Sequence, residues 1–228
     1  MKHLINSVKI AVNEKTYVKN PESSDLGKRI VESGIALISE VGFENFNFRK
    51  LGTRIGSNES SVYRYFENKH KFLIYLSSWY WGWKEYQLVL TTNNIQDPVY
   101  KLERALGVLT EPVEADSTFS YIDEEALYQI VINEYSKSFL TKEVDRENKE
   151  GYFEIYKRMV GRLRDMMLAV NPDYPFPASL ASTVLEGAMH QYFLKEHFPS
   201  LTDCENKESV YRFFRHQVFT SLNVQIDD

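Results

Sequence analysis

The chain has 228 residues, 43% of them hydrophobic and 26% charged, with a net charge of -5. Ten glycines and seven prolines are too few for the turn-dense pattern of an all-β fold, and they favour long helices. The single cysteine, Cys204, excludes an internal disulfide and a multi-cysteine zinc site, and fits a reducing compartment. No apolar run approaches the roughly twenty residues that span a bilayer, and MKHLINSVKIAVNEK is interrupted by polar residues too often for a signal-peptide core. A cytoplasmic protein with no membrane partner is expected.

The charge is unevenly placed. Residues 1–80 carry twelve Lys and Arg against eight Asp and Glu, a balance of +4, whereas residues 81–228 carry fifteen against twenty-four, a balance of -9. A basic head on an acidic body is the asymmetry expected when one end faces phosphate. Chance segregation of surface charge is the plainer alternative.

Residues 1–24 read as an arm. SVKIAV and TYV alternate around NEK, so a short hairpin is allowed there. Asn20-Pro21-Glu22-Ser23-Ser24 breaks it, and Asp25 is the expected N-cap of a first helix with Ile30, Ile35, Leu37, Ile38 and Val41 at helical spacing. Gly42 stands where that helix should stop. A compact segment over 47–70 follows. A long helix then starts near Lys69 and carries Phe72, Leu73, Leu76, Trp79, Trp83 and Tyr86, ending at Thr91-Thr92-Asn93-Asn94. Asp97-Pro98 opens another helix that Pro112 closes. Next come a helix over about 121–139 and a long one opened by Thr141 and running through Met159, Leu163, Met167 and Val170. After the prolines at 172, 175 and 177, two last helices are expected over about 178–196 and 206–223. Thr202 and Glu205 have capping-box spacing before the second of these.

The segment with most chemical content is NFRKLGTRIGSNESSVYRYFENK, residues 47–69. Asn47 can cap a short helix with Leu51 and Ile55 on one face. Gly52 allows close approach of a second helix, and Gly56 falls where the chain must turn. Asn58 can cap a second short helix, with Val62 and Phe66 on its buried side. Two short helices across a glycine turn make a helix-turn-helix. Arg49, Glu59, Ser60, Ser61, Tyr63, Arg64 and Tyr65 are then the exposed positions, able to hydrogen-bond phosphates and base edges. Asn68-Lys69 puts a positive charge and free N–H groups at the start of the next helix, a ready phosphate site. Singly, Tyr63 and Tyr65 can simply pack on Phe66, and the two arginines can be solvated charges. Together with the turn and Lys69 they favour DNA contact.

The run GFENFNFRKLGTRIGSNESSVYRYFENKHKFL resembles the DNA-binding domain of the TetR family of bacterial regulators. Gly42-Phe43, Leu51-Gly52, Ile55-Gly56, Tyr63-Arg64-Tyr65-Phe66 and Asn68-Lys69 fall at matching places over about residues 26–73. Gly52 replaces the usual alanine, and Ser57 stands where a small apolar residue is usual. The resemblance implies base contacts from Arg49, Glu59, Ser60 and Ser61, and phosphate contacts from Asn47, Tyr63, Tyr65 and Lys69. It implies an all-α fold: a three-helix helix-turn-helix domain (25–70) after an arm (1–24), continuous with a larger helical effector-binding and dimerisation domain (71–228).

For the body, the resemblance implies a homodimer through about residues 178–223, which carry Leu180, Val184, Leu185, Ala188, Met189 and Tyr192 with Val210, Phe213, Phe214, Val218 and Leu222. These stripes can equally be intramolecular core. Trp79, Trp83 and Tyr86 share one helical face; they are core, or else the wall of an effector pocket. With few charges on that face, an apolar or aromatic small molecule is the expected effector. It would act by shifting the helix that begins at Lys69. Glu186 and His190 are four apart, but without a second ligand cluster a metal is not expected there, and no cofactor is expected. No nucleophile-elbow, phosphate-loop or zinc-protease pattern is present, so an enzyme is not expected. A double-stranded DNA operator is the expected partner and repression the expected outcome. A helical protein-binding adaptor and a helical enzyme without a local motif are the alternatives.

Overall fold

The computed structural model describes residues 9–112, 121–206 and 208–225. Among the described residues the regular structure is helical and no β-strand forms. The first helix, α1 (Asp25–Asn45), is capped by Ser24, whose Oγ accepts the Gly27 N–H at 3.2 Å. The cap is thus one residue earlier than expected. Ser24 has the extended backbone a cap needs, and Asp25 becomes the first helical residue, where its carboxylate faces the positive end of the dipole. Ile30, Ile35, Leu37 and Ile38 are buried. At Gly42 the backbone turns to φ 74°, ψ 156°, which breaks the helix at the expected stop.

The hairpin allowed for the arm does not form over the described residues; Ser7 and Val8 lie outside them. Two 3-10 turns, Glu14–Thr16 and Pro21–Ser23, take its place. Asn13 and Asn20 each accept a backbone N–H two residues on, from Lys15 and Glu22, at 2.9 Å. Such local bonds compete with a ladder and curl the chain.

Helices α2 (Phe48–Arg54) and α3 (Glu59–Tyr63) precede the long α4 (Lys69–Thr92). Asn68 caps α4 by accepting the Lys71 N–H at 2.9 Å. Asp97 does the same for α5 (Pro98–Thr110), accepting the Tyr100 N–H at 2.7 Å. Asp123 caps α6 (Glu124–Phe139) through the Ala126 N–H at 2.9 Å. The single long helix expected after Thr141 is two, α7 (Val144–Lys149) and α8 (Glu154–Val170). Gly151, at φ 83°, separates them. Its N–H reaches the Asn148 carbonyl, and the Tyr152 N–H reaches that of Glu147, both at 3.1 Å. This pair of bonds is a Schellman stop, and glycine takes the left-handed position without a Cβ penalty. The last helices are α9 (Pro177–His197) and α10 (Ser209–Ser221). The Thr202–Glu205 capping box is not used. Thr202 instead donates to Gln191 Oε1 at 2.5 Å and accepts the Cys204 N–H at 3.1 Å, and α10 starts only at Ser209.

By compactness the chain forms two units. Among the described residues the first comprises 9–82 and 121–154, with α1 packed on α2 and on α6 and α2 packed on α3. Its core is aromatic: Phe46 stacks on Phe72 at 5.5 Å, and Phe66 meets Phe72 edge-on at 4.8 Å. The second comprises 83–112, 155–206 and 208–225, where α5, α9 and α10 pack on one another. Leu102, Leu106, Val184, Leu185, Val210, Phe214 and Val218 are buried there.

Candidate nucleic-acid interface

The Asn47 side chain accepts the Lys50 N–H at 2.9 Å to start α2, and that of Asn58 accepts the Ser61 N–H at 3.0 Å to start α3. Both are the capping geometry expected of asparagine. Between the two helices, Gly56 at φ 67° repeats the stop seen at Gly151. The Gly56 N–H donates to Thr53 at 3.1 Å and the Ser57 N–H to Gly52 at 2.8 Å. A Cβ placed on Gly52 would stand 2.7 Å from the backbone carbon of Asn58 and 2.8 Å from the nitrogen of Glu59. The glycine lets α3 start against the backbone of α2, closer than an alanine allows.

Leu51, Val62 and Phe66 are buried, leaving the other face of the motif to solvent. Arg49, Ser60 and Arg64 are exposed, and Glu59 and Ser61 are half-buried. Tyr63 is 48% exposed and lies edge-on to Phe48 at 5.1 Å, which fixes its ring and leaves its hydroxyl outward. Ser61 Oγ is tied to Asn58 Oδ1 at 3.1 Å and accepts from Ser57 Oγ at 2.8 Å, so Ser57 extends the cap. Arg54, the last cation on α2, is spent on Glu40 in a bidentate pair at 2.6 and 2.7 Å. That pair holds the Glu40 carboxyl below the usual carboxylate range.

Two residues differ from expectation. Tyr65 is 3% exposed, not outward, and its hydroxyl shares a hydrogen bond with Ser24 Oγ at 2.8 Å. Its position just past the end of α3 turns it inward beside Phe66. Lys69 has a structural role the sequence did not reveal. Its Nζ donates to the carbonyls of Phe43 and Glu44 at 3.2 and 3.3 Å and sits 4.9 Å from the Phe43 ring centroid. These are terminal carbonyls of α1, and that of Phe43 also accepts the Phe46 N–H at 3.3 Å. An ammonium has three donors, so one remains for an outside acceptor.

Residues 30–76 match the family model of the bacterial regulatory proteins of the tetR family. The match spans the helix-turn-helix segment, about a fifth of the chain, and shows similarity to that family there. No curated protein matches it. Solved structures share its fold at low identity. AibR, in complex with isovaleryl coenzyme A and operator DNA, is 15% identical, with 84% of this chain and 95% of that one covered and a TM-score of 0.55. A tetR-family regulatory protein from Rhodococcus RHA1 is 14% identical, with 90% and 100% covered and a TM-score of 0.60. The fatty acid degradation regulator FadR from Bacillus halodurans is 14% identical, with 83% and 92% covered and a TM-score of 0.54.

The three aromatic residues expected as an effector wall are divided between the two units. Trp79 is fully buried in the first unit, and Trp83 (buried) and Tyr86 (half-buried) belong to the second. The charged residues nearest in sequence, Lys84 and Glu85, stand off the helical face that the three aromatics share. Lys84 is 4% exposed, and Glu85 is buried. Lys84 Nζ donates to the Val108 carbonyl at 2.8 Å, in the last turn of α5, and burial pushes its pKa down to about 8. Glu85 receives Arg158 at 2.6 and 3.1 Å and Arg162 at 2.9 Å, which keep it ionised. An open cleft of about 280 Å³ in the second unit is lined by Pro98, Lys101, Arg162, Asp165, Met166 and Ala169, none of them the aromatic residues above.

The apolar stripes of the last two helices are mostly core within one chain. Leu180, Val184, Leu185, Ala188, Met189, Val210, Phe214, Val218 and Leu222 are buried, and the Tyr192 hydroxyl donates to the Thr110 carbonyl at 2.9 Å. Of the expected interface residues only Phe213 is largely open, at 45%, and Phe198 and Leu201 are exposed beyond α9. Spacing alone cannot separate a stripe that meets a partner from one that meets α5. His190 stacks on Phe193, and Glu186 accepts the Tyr156 hydroxyl at 2.7 Å. Among the described residues no helix is long and apolar enough to cross a membrane.

Proposed function

We propose that the protein is a sequence-specific DNA-binding transcriptional regulator, a homodimeric repressor whose operator affinity is set by a small effector. One observation carries the reading. The α2–α3 motif presents Arg49, Ser60, Tyr63 and Arg64 to solvent, and Arg49 and Arg64 have no ion-pair partner among the described residues. In the same domain Arg54 and Lys50 are spent on Glu40 and the Asn45 carbonyl. Uncommitted arginines beside hydroxyls on a rigid, glycine-closed turn suit phosphate and base-edge contacts.

Residues 25–70 are the DNA-binding part in this reading and 71–228 the effector-binding and dimerisation part. Asn47, Arg49, Asn58, Glu59, Ser60, Ser61, Tyr63, Arg64 and Lys69 are the contact set; the buried Tyr65 leaves it. Dimerisation uses the outer side of α9 and α10, where Phe213 is open, and paired half-sites multiply the affinity of so small a motif. The AibR complex with both isovaleryl coenzyme A and operator DNA supports a small-molecule effector, although that ligand joins a short apolar acyl chain to a strongly anionic carrier. Trp79, Trp83 and Tyr86 on α4 are its proposed contacts. The protein is a binding protein of the cytoplasm, not an enzyme.

Selection from a randomised duplex pool tests the reading. A shared half-site sequence should emerge, repeated at about one helical turn or a multiple of it. Recovery of unrelated duplexes, bound no better than a shuffled control at any salt concentration, would reject it.

A further inference from the structure

The arm before α1 is attached at both ends. At one end three arm residues grip Tyr65, the second residue past α3. The Val18 N–H donates to the Tyr65 carbonyl at 2.8 Å, Lys19 Nζ lies 5.2 Å from the ring centroid, and Ser24 Oγ meets the hydroxyl at 2.8 Å. At the other end Asn13 Nδ2 donates to the Glu150 carbonyl at 3.0 Å. Between them Thr16 is buried and Tyr17 meets Tyr75 edge-on at 6.2 Å, and Pro21, within the Tyr65 grip, is buried as well.

The Glu150 end is fixed in turn. The Tyr152 hydroxyl donates to Glu150 Oε2 at 2.7 Å, and the buried Lys71 ammonium donates to that hydroxyl and lies over the Tyr152 ring. Next to Lys71, His70 Nε2 is 3.0 Å from the buried Glu147. The Gly151 stop makes this possible, because it ends α7 where Glu150 and Tyr152 face the first turn of α4. A closed circuit therefore runs from the exit of α3 through the arm and Glu150 to the start of α4.

We propose that residues 13–24 are a positioning strap for the recognition helix α3. The inference rests on the DNA-binding reading above. Of the three grips, the Val18 N–H and Ser24 Oγ are spent on Tyr65, whereas the Lys19 side chain is exposed. Helix α3 is a five-residue helix with few bonds of its own, so its orientation is set by what holds its ends. Asn47 and Asn58 fix the entry, and the strap fixes the exit. Val18 is the position at which the strap can be cut cleanly. Its side chain is 66% exposed, and Tyr17 before it is already extended, as the residue before a proline prefers.

The test compares full-length Val18→Pro, which removes the N–H, with Val18→Ala, which keeps it. Two readouts are taken. Without DNA, amide exchange is followed at Tyr65 and Phe66, whose N–H groups bond to the Val62 carbonyl at 2.9 and 3.1 Å. With DNA, affinity is measured for the duplex the wild type selects and for a shuffled duplex of the same composition. Val18→Pro should speed exchange by about five- to tenfold, the worth of one buried hydrogen bond. It should narrow the selected-to-shuffled ratio by a similar factor while affinity for the shuffled duplex stays constant. Val18→Ala should match wild type in both, and Asn13→Ala should reproduce the Val18→Pro result from the far end. Unchanged exchange in Val18→Pro and Asn13→Ala overturns the strap. Faster exchange with an unchanged ratio also overturns it, because the arm then only stabilises. A wild type that does not distinguish the two duplexes rejects the sequence-specific DNA-binding reading itself, and the exchange data still decide whether the strap exists.

Discussion

Gly52 and Asn58 are backbone neighbours across the turn of the motif: a Cβ on the first would stand 2.7 Å from the carbonyl carbon of the second. No flexible side chain is there to give way. Gly52→Ala gains about 1 kcal/mol of helix propensity but forces α3 away from α2, and overpacking against backbone costs about 1–3 kcal/mol. A net loss in urea-denaturation stability is expected, together with weaker binding to selected DNA. Unchanged affinity in a stably folded variant would show that the close approach is not needed for recognition.

Lys69 and Arg49 should fail differently. Lys69→Ala removes a proposed phosphate contact and should lower the salt slope of binding by about one unit for every sequence. It also leaves the Phe43 and Glu44 carbonyls without their ammonium, so the melting temperature should fall as well. Arg49→Ala should leave stability unchanged and relax discrimination at one position of each half-site by about 1–3 kcal/mol. Competition binding with single-base variants of the selected duplex separates the two.

Lys84 gives a pH signature. Its pKa is about 8 in the fold against an ordinary 10.5, so between those values the unfolded chain binds more protons at this lysine than the folded one. Stability attributable to Lys84 therefore rises with pH across that window. Relative to Lys84→Met, the wild type should gain roughly 2–4 kcal/mol between about pH 8 and 10.5. Buried tyrosines such as Tyr192, whose pKa burial raises, act in the opposite direction at the alkaline end. They cancel in the difference. A flat difference by chemical denaturation at several pH values would mean that the ammonium is solvated.

Phe213 and Phe214 are neighbours with opposite surroundings. Phe214 is buried against Gly187, where an added Cβ would meet its ring at 2.7 Å, and Phe213 is open. Phe214→Ala should cost about 3–5 kcal/mol by thermal or chemical unfolding. Phe213→Glu should leave the monomer fold intact and shift sedimentation from dimer to monomer. A Phe213→Glu chain that stays dimeric would move the interface elsewhere.

Much of this was fixed by local chemistry and so was readable from the residues. Asn47, Asn58, Asn68, Asp97 and Asp123 cap helices because a short polar side chain needs only its own next turn. Gly56 turns the chain, and the apolar stripes of α1 and α4 are buried, for equally local reasons. Gly151 had the same signature as Gly56, and attention to it would have divided the helix expected after Thr141.

What residues do across long sequence separations was decided only by the tertiary structure. Tyr65 and Tyr63 are two apart and chemically identical, yet one is gripped by the arm and the other faces solvent. Lys69 serves the terminal carbonyls of α1, at Phe43 and Glu44, more than twenty residues earlier. The stripes of α9 and α10 became intramolecular core because α5 came to cover them. Periodicity marks which face of a helix is apolar, but the burial free energy is the same whether a partner chain or the chain itself removes the water.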